Sequence, residues 1–396
     1  MTTATQSKSQ DKEAIKKLIL EEARLDLEFN EKGINYNAEE INRIRANVVE
    51  PRSYGREPVG FSFVLPHGIT SNAKYNRWTP YSIVVENDKP ILYNDKEPIG
   101  EIGFTYRTQQ PVMEQNLSTG EKIRGILNTN QHGEVSIGYS AECSLKELSQ
   151  DCLFCSINVR EKDPDRPLLK NPHQVSEAYH LVRQAGLANH LRITGGFVPE
   201  YRELEYYLDV AEAIHANYET FKGVAVIRAP KDFSILEKYK EIGYSDISHN
   251  LEVWDKNLFT YICPGKGDWR HWVDSLEASV EIFGWGNVHS NFVGGLDTKR
   301  GFLEGVEYLT SKGIVAHFGP FRPQKGTDLE GHRSPEASFH WEILDKVTDL
   351  QVRYGFTTEQ MYRGPGSGDH TGRVIRTKLG DFEGNFLDTY KYPAID

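Results

Sequence analysis

The sequence is poor in cysteine: four occur in 396 residues. Three crowd into the stretch Cys143–Cys155, and Cys263 stands far downstream. That count and placement exclude a disulfide framework and suit a reducing, cytoplasmic compartment with a metal or redox site. Long hydrophobic runs are missing as well. No stretch approaches the ~18 apolar residues that a membrane span needs, so no membrane role is expected. There is no basic excess. Lys and Arg total 46 against 57 Asp and Glu, a formal net charge of −11, which argues against nonspecific nucleic-acid binding. Met1–Asp11 lacks an apolar stretch, so it reads as a frayed tail and not as a secretory signal. Neither internal repeats nor low-complexity linkers occur.

What is there is an ordinary globular composition, 38% hydrophobic and 26% charged. The length exceeds one small domain. Residues 12–30 carry Ile15, Leu18, Ile19, Ala23, Leu25 and Leu27 at helical spacing. A second helix is expected over Ala38–Val49, stopped by Pro51. From Ser53 to about Gly133 the chain is rich in Pro, Gly, Asn and aromatics. Short extended runs there (Tyr81–Val85, Ile102–Tyr106) imply a small, mostly β accessory region.

From Glu134 short apolar runs alternate with helical segments. Strands are expected over Val135–Ser140, Leu191–Thr194, Gly223–Arg228, Asp246–Leu251, Val288–Val293 and Ile314–Phe318. The helices between them cover about His173–Ala188, Glu200–Ala216, Phe233–Ile242, Trp269–Phe283 and Gly301–Lys312, with a last one over Pro335–Tyr354. Such alternation implies parallel strands and right-handed crossovers. The fold class expected is α/β, a partial (βα)6 TIM-like barrel (134–355). It carries an α+β N-terminal accessory region (1–133) and an irregular C-terminal extension (356–396). That extension contains the glycine-rich Arg363–His370. It follows a helix and not a strand, so it fails the context test for a dinucleotide loop. It reads as a surface cap over the barrel mouth or as a lid touching substrate.

The cysteine stretch follows the first strand, at the face where such barrels hold their active sites. Three thiolates from one loop can hold three corners of a [4Fe–4S] cluster and leave one iron open. On this stretch alone a zinc site or plain core thiols are equally open.

Cys152-Leu-Phe-Cys155, with its aromatic residue before the last cysteine, resembles the motif of the radical S-adenosylmethionine (SAM) superfamily. The spacing departs from that motif: eight residues separate Cys143 from Cys152. Further segments fall on strand ends in the right order. Ile193-Thr-Gly-Gly-Phe197 resembles the Gly-Gly-Glu segment whose backbone receives the SAM amino group, with Phe197 where Glu is common. His249-Asn-Leu-Glu252 is similar to the His-Asn-Leu-Asp of the biotin synthase-like branch. A basic residue of that branch matches Lys266 of Ile262-Cys-Pro-Gly-Lys266. Asn291–Thr298 and Phe318–Thr327 resemble its last two strand ends, and Arg322 and Lys325 could hold an anionic substrate group there. Read without the resemblance, these are βα turns, helix caps and rim charges.

The resemblance, over about residues 134–330, implies the following. Cys143, Cys152 and Cys155 hold a [4Fe–4S] cluster. Phe154, Gly195, Gly196, Asn250, Glu252 and Lys266 contact SAM or lie beside it. An external low-potential donor of the flavodoxin or ferredoxin type supplies one electron. SAM is cleaved to a 5′-deoxyadenosyl radical, which abstracts hydrogen from a small-molecule substrate. Sulfur insertion is disfavoured because Cys263 is the one cysteine left over, and no cobalamin-binding region is visible. Rearrangement, bond cleavage or cobalamin-independent methylation in cofactor or natural-product biosynthesis stays open. The rival expectation is a non-catalytic iron–sulfur or zinc-binding assembly protein.

Overall fold

The computed structural model describes residues 2–45, 61–104, 111–129, 134–159, 167–188, 190–218, 220–363, 374–375 and 377–380. The first half is α+β. It runs α1 (Thr2–Lys32), β1 (Asn35–Tyr36), α2 (Ala38–Arg45), β2 (Phe61–Val64), β3 (Thr70–Ala73), β4 (Tyr81–Glu86), β5 (Lys89–Asn94), β6 (Glu97–Glu101), β7 (Gly103–Phe104), α3 (Ile123–Ile126) and β8 (Asn128–Thr129). Met1–Asp11 was expected to fray, yet α1 begins at Thr2. Its Thr, Ser and Asp are weak helix formers, so this segment is helical only as an extension of the amphipathic stretch behind it, which supplies the nucleus. α2 is described over Ala38–Arg45, and the rest of the expected helix to Val49, with Pro51, lies outside the described residues. β1-β4-β5-β6 form one small sheet and β3-β2-β7 another.

The second half alternates as its apolar runs require. In order come β9 (Glu134–Gly138), α4 (Pro172–Gln184), β10 (His190–Thr194), α5 (Arg202–His215), β11 (Gly223–Val226), α6 (Ile235–Glu241), β12 (Asp246–Ser248), α7 (Lys256–Ile262), α8 (Trp269–Phe283), β13 (Val288–Gly294), α9 (Lys299–Ser311), β14 (Ile314–Pro320), α10 (Ala337–Arg353) and α11 (Thr358–Arg363). Strands β9 to β14 lie side by side in chain order, and every neighbouring pair is parallel. β8 adds an antiparallel edge beside β9. Strand residues buried almost without alternation, such as all three of β12, fit a parallel sheet covered on both faces. Caps start the helices where the sequence offers them: Asn171 before Pro172 in α4, Asp268 in α8 and Thr298 in α9 each accept a backbone N–H.

Three elements differ from expectation. α7 is a helix inserted between β12 and α8, started by Asp255, whose side chain accepts from Leu258 N. β8 is too short, at two residues, to leave a periodic signal. The tail is not irregular throughout, since α11 is helical, and its described part does not sit over the mouth. Met361 and Ile375 pack with Val315 near the start of β14, and Arg363 pairs with Asp246 at the start of β12, 3.4 Å away. It therefore closes the N-terminal end of the sheet, opposite the cysteines. Gly364 to Arg373 lie outside the described residues.

Candidate active site

Backbone pairing brings the site together. The cysteine loop leaves β9 and lies flush on the turn after β10. A Cβ on Gly195 would come 2.7 Å from the Ser140 nitrogen. One on Gly196 would collide with the Glu142 carbonyl and come 2.8 Å from Cys143 Cα. Side-chain-free backbone is thus required here by the loop itself. Ser144 N donates to Phe197 O at 2.8 Å.

The eight residues Ser144–Asp151 form a compact plug. A short 3-10 turn (Ser144–Lys146) buries Leu145. Ser149 adopts a left-handed conformation, φ 54°. Gly265 N donates to Gln150 O at 2.9 Å, and Leu153 N to Ile262 O at 2.9 Å. The segment Ile262–Lys266 therefore backs the long cysteine loop.

At the end of β12 the chain passes through Glu252 in a left-handed conformation, φ 69°. Such a conformation is costly for a residue with a side chain. β13 holds it from both sides: Glu252 N donates to Asn291 O (2.9 Å) and Val293 N to Glu252 O (2.7 Å). Lys266 Nζ reaches back to Glu252 Oε1 at 2.9 Å and to Asn250 O at 2.5 Å. It also lies 4.5 Å from the centre of the Trp272 ring. Trp272 Nε1 donates to Lys266 O at 2.7 Å, which sets the ring in place.

All nine candidate residues line one cavity: Cys143, Cys152, Phe154, Cys155, Gly195, Gly196, Asn250, Glu252 and Lys266. Arg322 is half-buried after β14, and Lys325 is exposed. No histidine lines the cavity among the described residues. Nor do any three His, Cys, Asp or Glu side chains there converge on a point for a single metal ion. Three thiols lining one cavity are a donor set that fits an iron–sulfur cluster.

Burial pushes the Cys143 thiol up and the Cys155 thiol up to about 11. Contact with Cys263 and burial hold Cys152 well above its ordinary range. Burial raises the Glu252 carboxyl, and the Lys266 ammonium pulls it back. Burial alone would lower Lys266, but Glu252 and the thiols of Cys263 and Cys152 more than offset it, so the ammonium stays charged.

Sequence reasoning missed several residues here. Arg228 lies between the faces of Phe197 (4.2 Å) and Tyr201 (4.1 Å) and pairs with buried Glu203. Trp272 carries Lys266, and Asn158 binds the backbone of Cys143. Their partners are ring faces and main-chain groups, which leave no spacing signal.

No protein-family model matches the chain. The bacteriochlorophyllide c C-7(1)-hydroxylase of Chlorobaculum limnaeum is 29% identical over 336 residues, 78% of this chain and 82% of that protein. Among solved structures, the [FeFe]-hydrogenase maturase HydG from Carboxydothermus hydrogenoformans aligns over 61% of this chain and 56% of its own, at 16% identity and a TM-score of 0.43. Coproporphyrinogen III oxidase (HemN) from Escherichia coli, a radical SAM enzyme, aligns over 56% and 52%, at 13% identity and a TM-score of 0.37. The chain thus spans little more than half of either solved protein. The cysteine loop and the strand-end residues gathered in this cavity resemble the sites of radical SAM enzymes.

Proposed function

We propose that the chain works in the manner of the biotin synthase-like branch, with its parallel sheet as a partial barrel around the cofactors. Cys143, Cys152 and Cys155 hold a [4Fe–4S] cluster, while Asn250, Glu252, Lys266 and the Gly195–Gly196 backbone hold SAM. One observation carries this: residues following three strands, β10, β11 and β12, line the same cavity as the three cysteines that follow β9. When bound, cluster and SAM supply one-electron cleavage of SAM and, through it, hydrogen abstraction from substrate.

The chain's own part is binding, orientation and exclusion of water. Lys266, kept charged, offers its ammonium to the SAM carboxylate. That exchange frees Glu252, which can accept both hydroxyls of the ribose. Phe197 and Trp272, stacked with ring centres 6.4 Å apart, wall off one side from solvent. The electron comes from a flavodoxin- or ferredoxin-type donor.

The substrate is a small molecule with an anionic group. Arg322 supports this, since it is half-buried without a hydrogen bond or ion pair among the described residues, with Lys74 and the Asp26 carboxylate within electrostatic range. The named relative points to C–H hydroxylation of a bacteriochlorophyllide-like molecule as the first reaction to try.

The test is anaerobic reconstitution with iron and sulfide, reduction and addition of SAM. The expected products are methionine and 5′-deoxyadenosine, both lost in Cys155→Ala. A full cluster that never yields 5′-deoxyadenosine would favour the assembly-protein alternative. Zinc at one per chain in protein as purified would remove the cluster.

A further inference from the structure

A long cysteine loop poses a positioning problem. Eight residues separate Cys143 from Cys152, and the entropy lost on fixing the ends of a loop grows with its length. Cys152 and Cys155 hold each other through a turn, with Cys155 N donating to Cys152 O at 2.9 Å. Cys143 has a local turn of its own, with Lys146 N donating to its O at 3.2 Å, but that turn leads into the long segment and not to the other two cysteines. Asn158 supplies the link to the other two. Its Oδ1 accepts from Cys143 N at 2.8 Å, and its Nδ2 donates to Cys143 O at 2.9 Å. One side-chain amide thus binds both main-chain groups of a single residue, as a neighbouring β-strand would. Asn158 stands three residues after Cys155. The bond pair therefore ties the first cysteine to the last and bypasses the long segment between.

We propose that Asn158 is the positioning residue for cluster assembly, presetting Cys143 relative to Cys152 and Cys155 before any iron binds. This rests on the cluster reading above. The physical gain is preorganisation: groups that orient metal ligands lower the cost of gathering them. Without the amide, Cys143 N–H loses its partner in a part-buried loop and its C=O keeps only Lys146 N–H, so the thiol samples positions away from the cavity.

The experiment uses the full-length chain, reconstituted anaerobically as wild type, Asn158→Ala and Asn158→Asp. Three quantities are read: iron and sulfide per chain, the rate at which an iron chelator strips the cluster, and the rate at which iodoacetamide alkylates Cys143 in the iron-free protein. Asn158→Ala is expected to lose its cluster about tenfold faster or more, the usual scale for outer partners of metal ligands. Its Cys143 should also alkylate faster, while Cys152 and Cys155 keep their rates. Asn158→Asp keeps the acceptor for Cys143 N–H but not the donor, and should fall between. If Asn158→Ala does not fold, the aspartate variant carries the comparison. Wild-type rates of stripping and alkylation in the variants overturn the role while leaving the cluster in place. A wild-type protein that takes up no cluster removes the cluster reading and this role together.

Discussion

Lys266 and Glu252 form a nearly buried ion pair, with side chains 5% and 12% exposed. Removing one partner of such a pair leaves the other charge without compensation, at a cost of about 3–5 kcal/mol. Lys266→Met should therefore lower unfolding stability by about 3 kcal/mol and abolish SAM binding. Adding Glu252→Gln should restore most of the stability and none of the binding. Urea unfolding and a calorimetric SAM titration separate the two effects. Wild-type SAM affinity in Lys266→Met would sink the assignment of Lys266 to the SAM carboxylate. At this scale, the nine candidate residues were named from short local motifs, and the structure gathers them in one cavity. Arg228, Trp272 and Asn158 were not legible, because each acts on a ring face or on backbone brought near only by folding.

Among elements, the alternation of apolar runs and helices placed all six parallel strands within a few residues, since burial on both faces keeps them continuous. α7 escaped because a seven-residue helix carries under two turns of pattern. The tail was misplaced because its apolar residues, among them Met361 and Ile375, say that it packs but not on which end of the sheet. The segment Ser144–Asp151 is now accounted for as a plug between the β10 turn and Gly265. That contact predicts the effect of Gly196→Ala. Its methyl would occupy the place of the Glu142 carbonyl and must push the cysteine loop outward. Overpacking of this kind costs about 1–3 kcal/mol. The variant should keep wild-type far-ultraviolet circular dichroism but bind clearly less iron after reconstitution. Full iron with unchanged stability would show that the loop yields freely.

Among the described residues, the largest core cluster runs through both halves of the chain, and two smaller ones flank it. Arg24 lies 4.4 Å from the ring centre of Trp341, and Ala337 N donates to Glu31 at 2.6 Å, so α1 is joined to α10. Inside the sheet, buried histidines make stability depend on pH. His249 is buried, with Nε2 3.0 Å from Ser279 Oγ and Nδ1 facing Ile227 O, and His271 adds a nearby like charge when protonated. Burial lowers it from 6.5 to about 4. Burial likewise lowers His190 to about 3, with Asp246 opposing and Arg363, Arg192 and His289 reinforcing the drop. The sign follows from the proton count. Both rings are neutral in the fold, while the unfolded chain takes up protons once the pH falls below about 6.5. Their contribution is complete above pH 6.5 and is lost as the pH falls toward 4, by on the order of 3 kcal/mol for His249 alone. Asp246, held below the ordinary carboxylate range by His289 and Arg363 against its burial, adds a loss at still lower pH. Urea midpoints should therefore be level from pH 8 to 7 and fall steadily from 6.5 to 4.5. His249→Gln, which cannot take up the proton, should show a shallower fall than wild type. A wild-type midpoint that does not move between pH 7 and 4.5 would mean that these rings are already solvated in the folded protein.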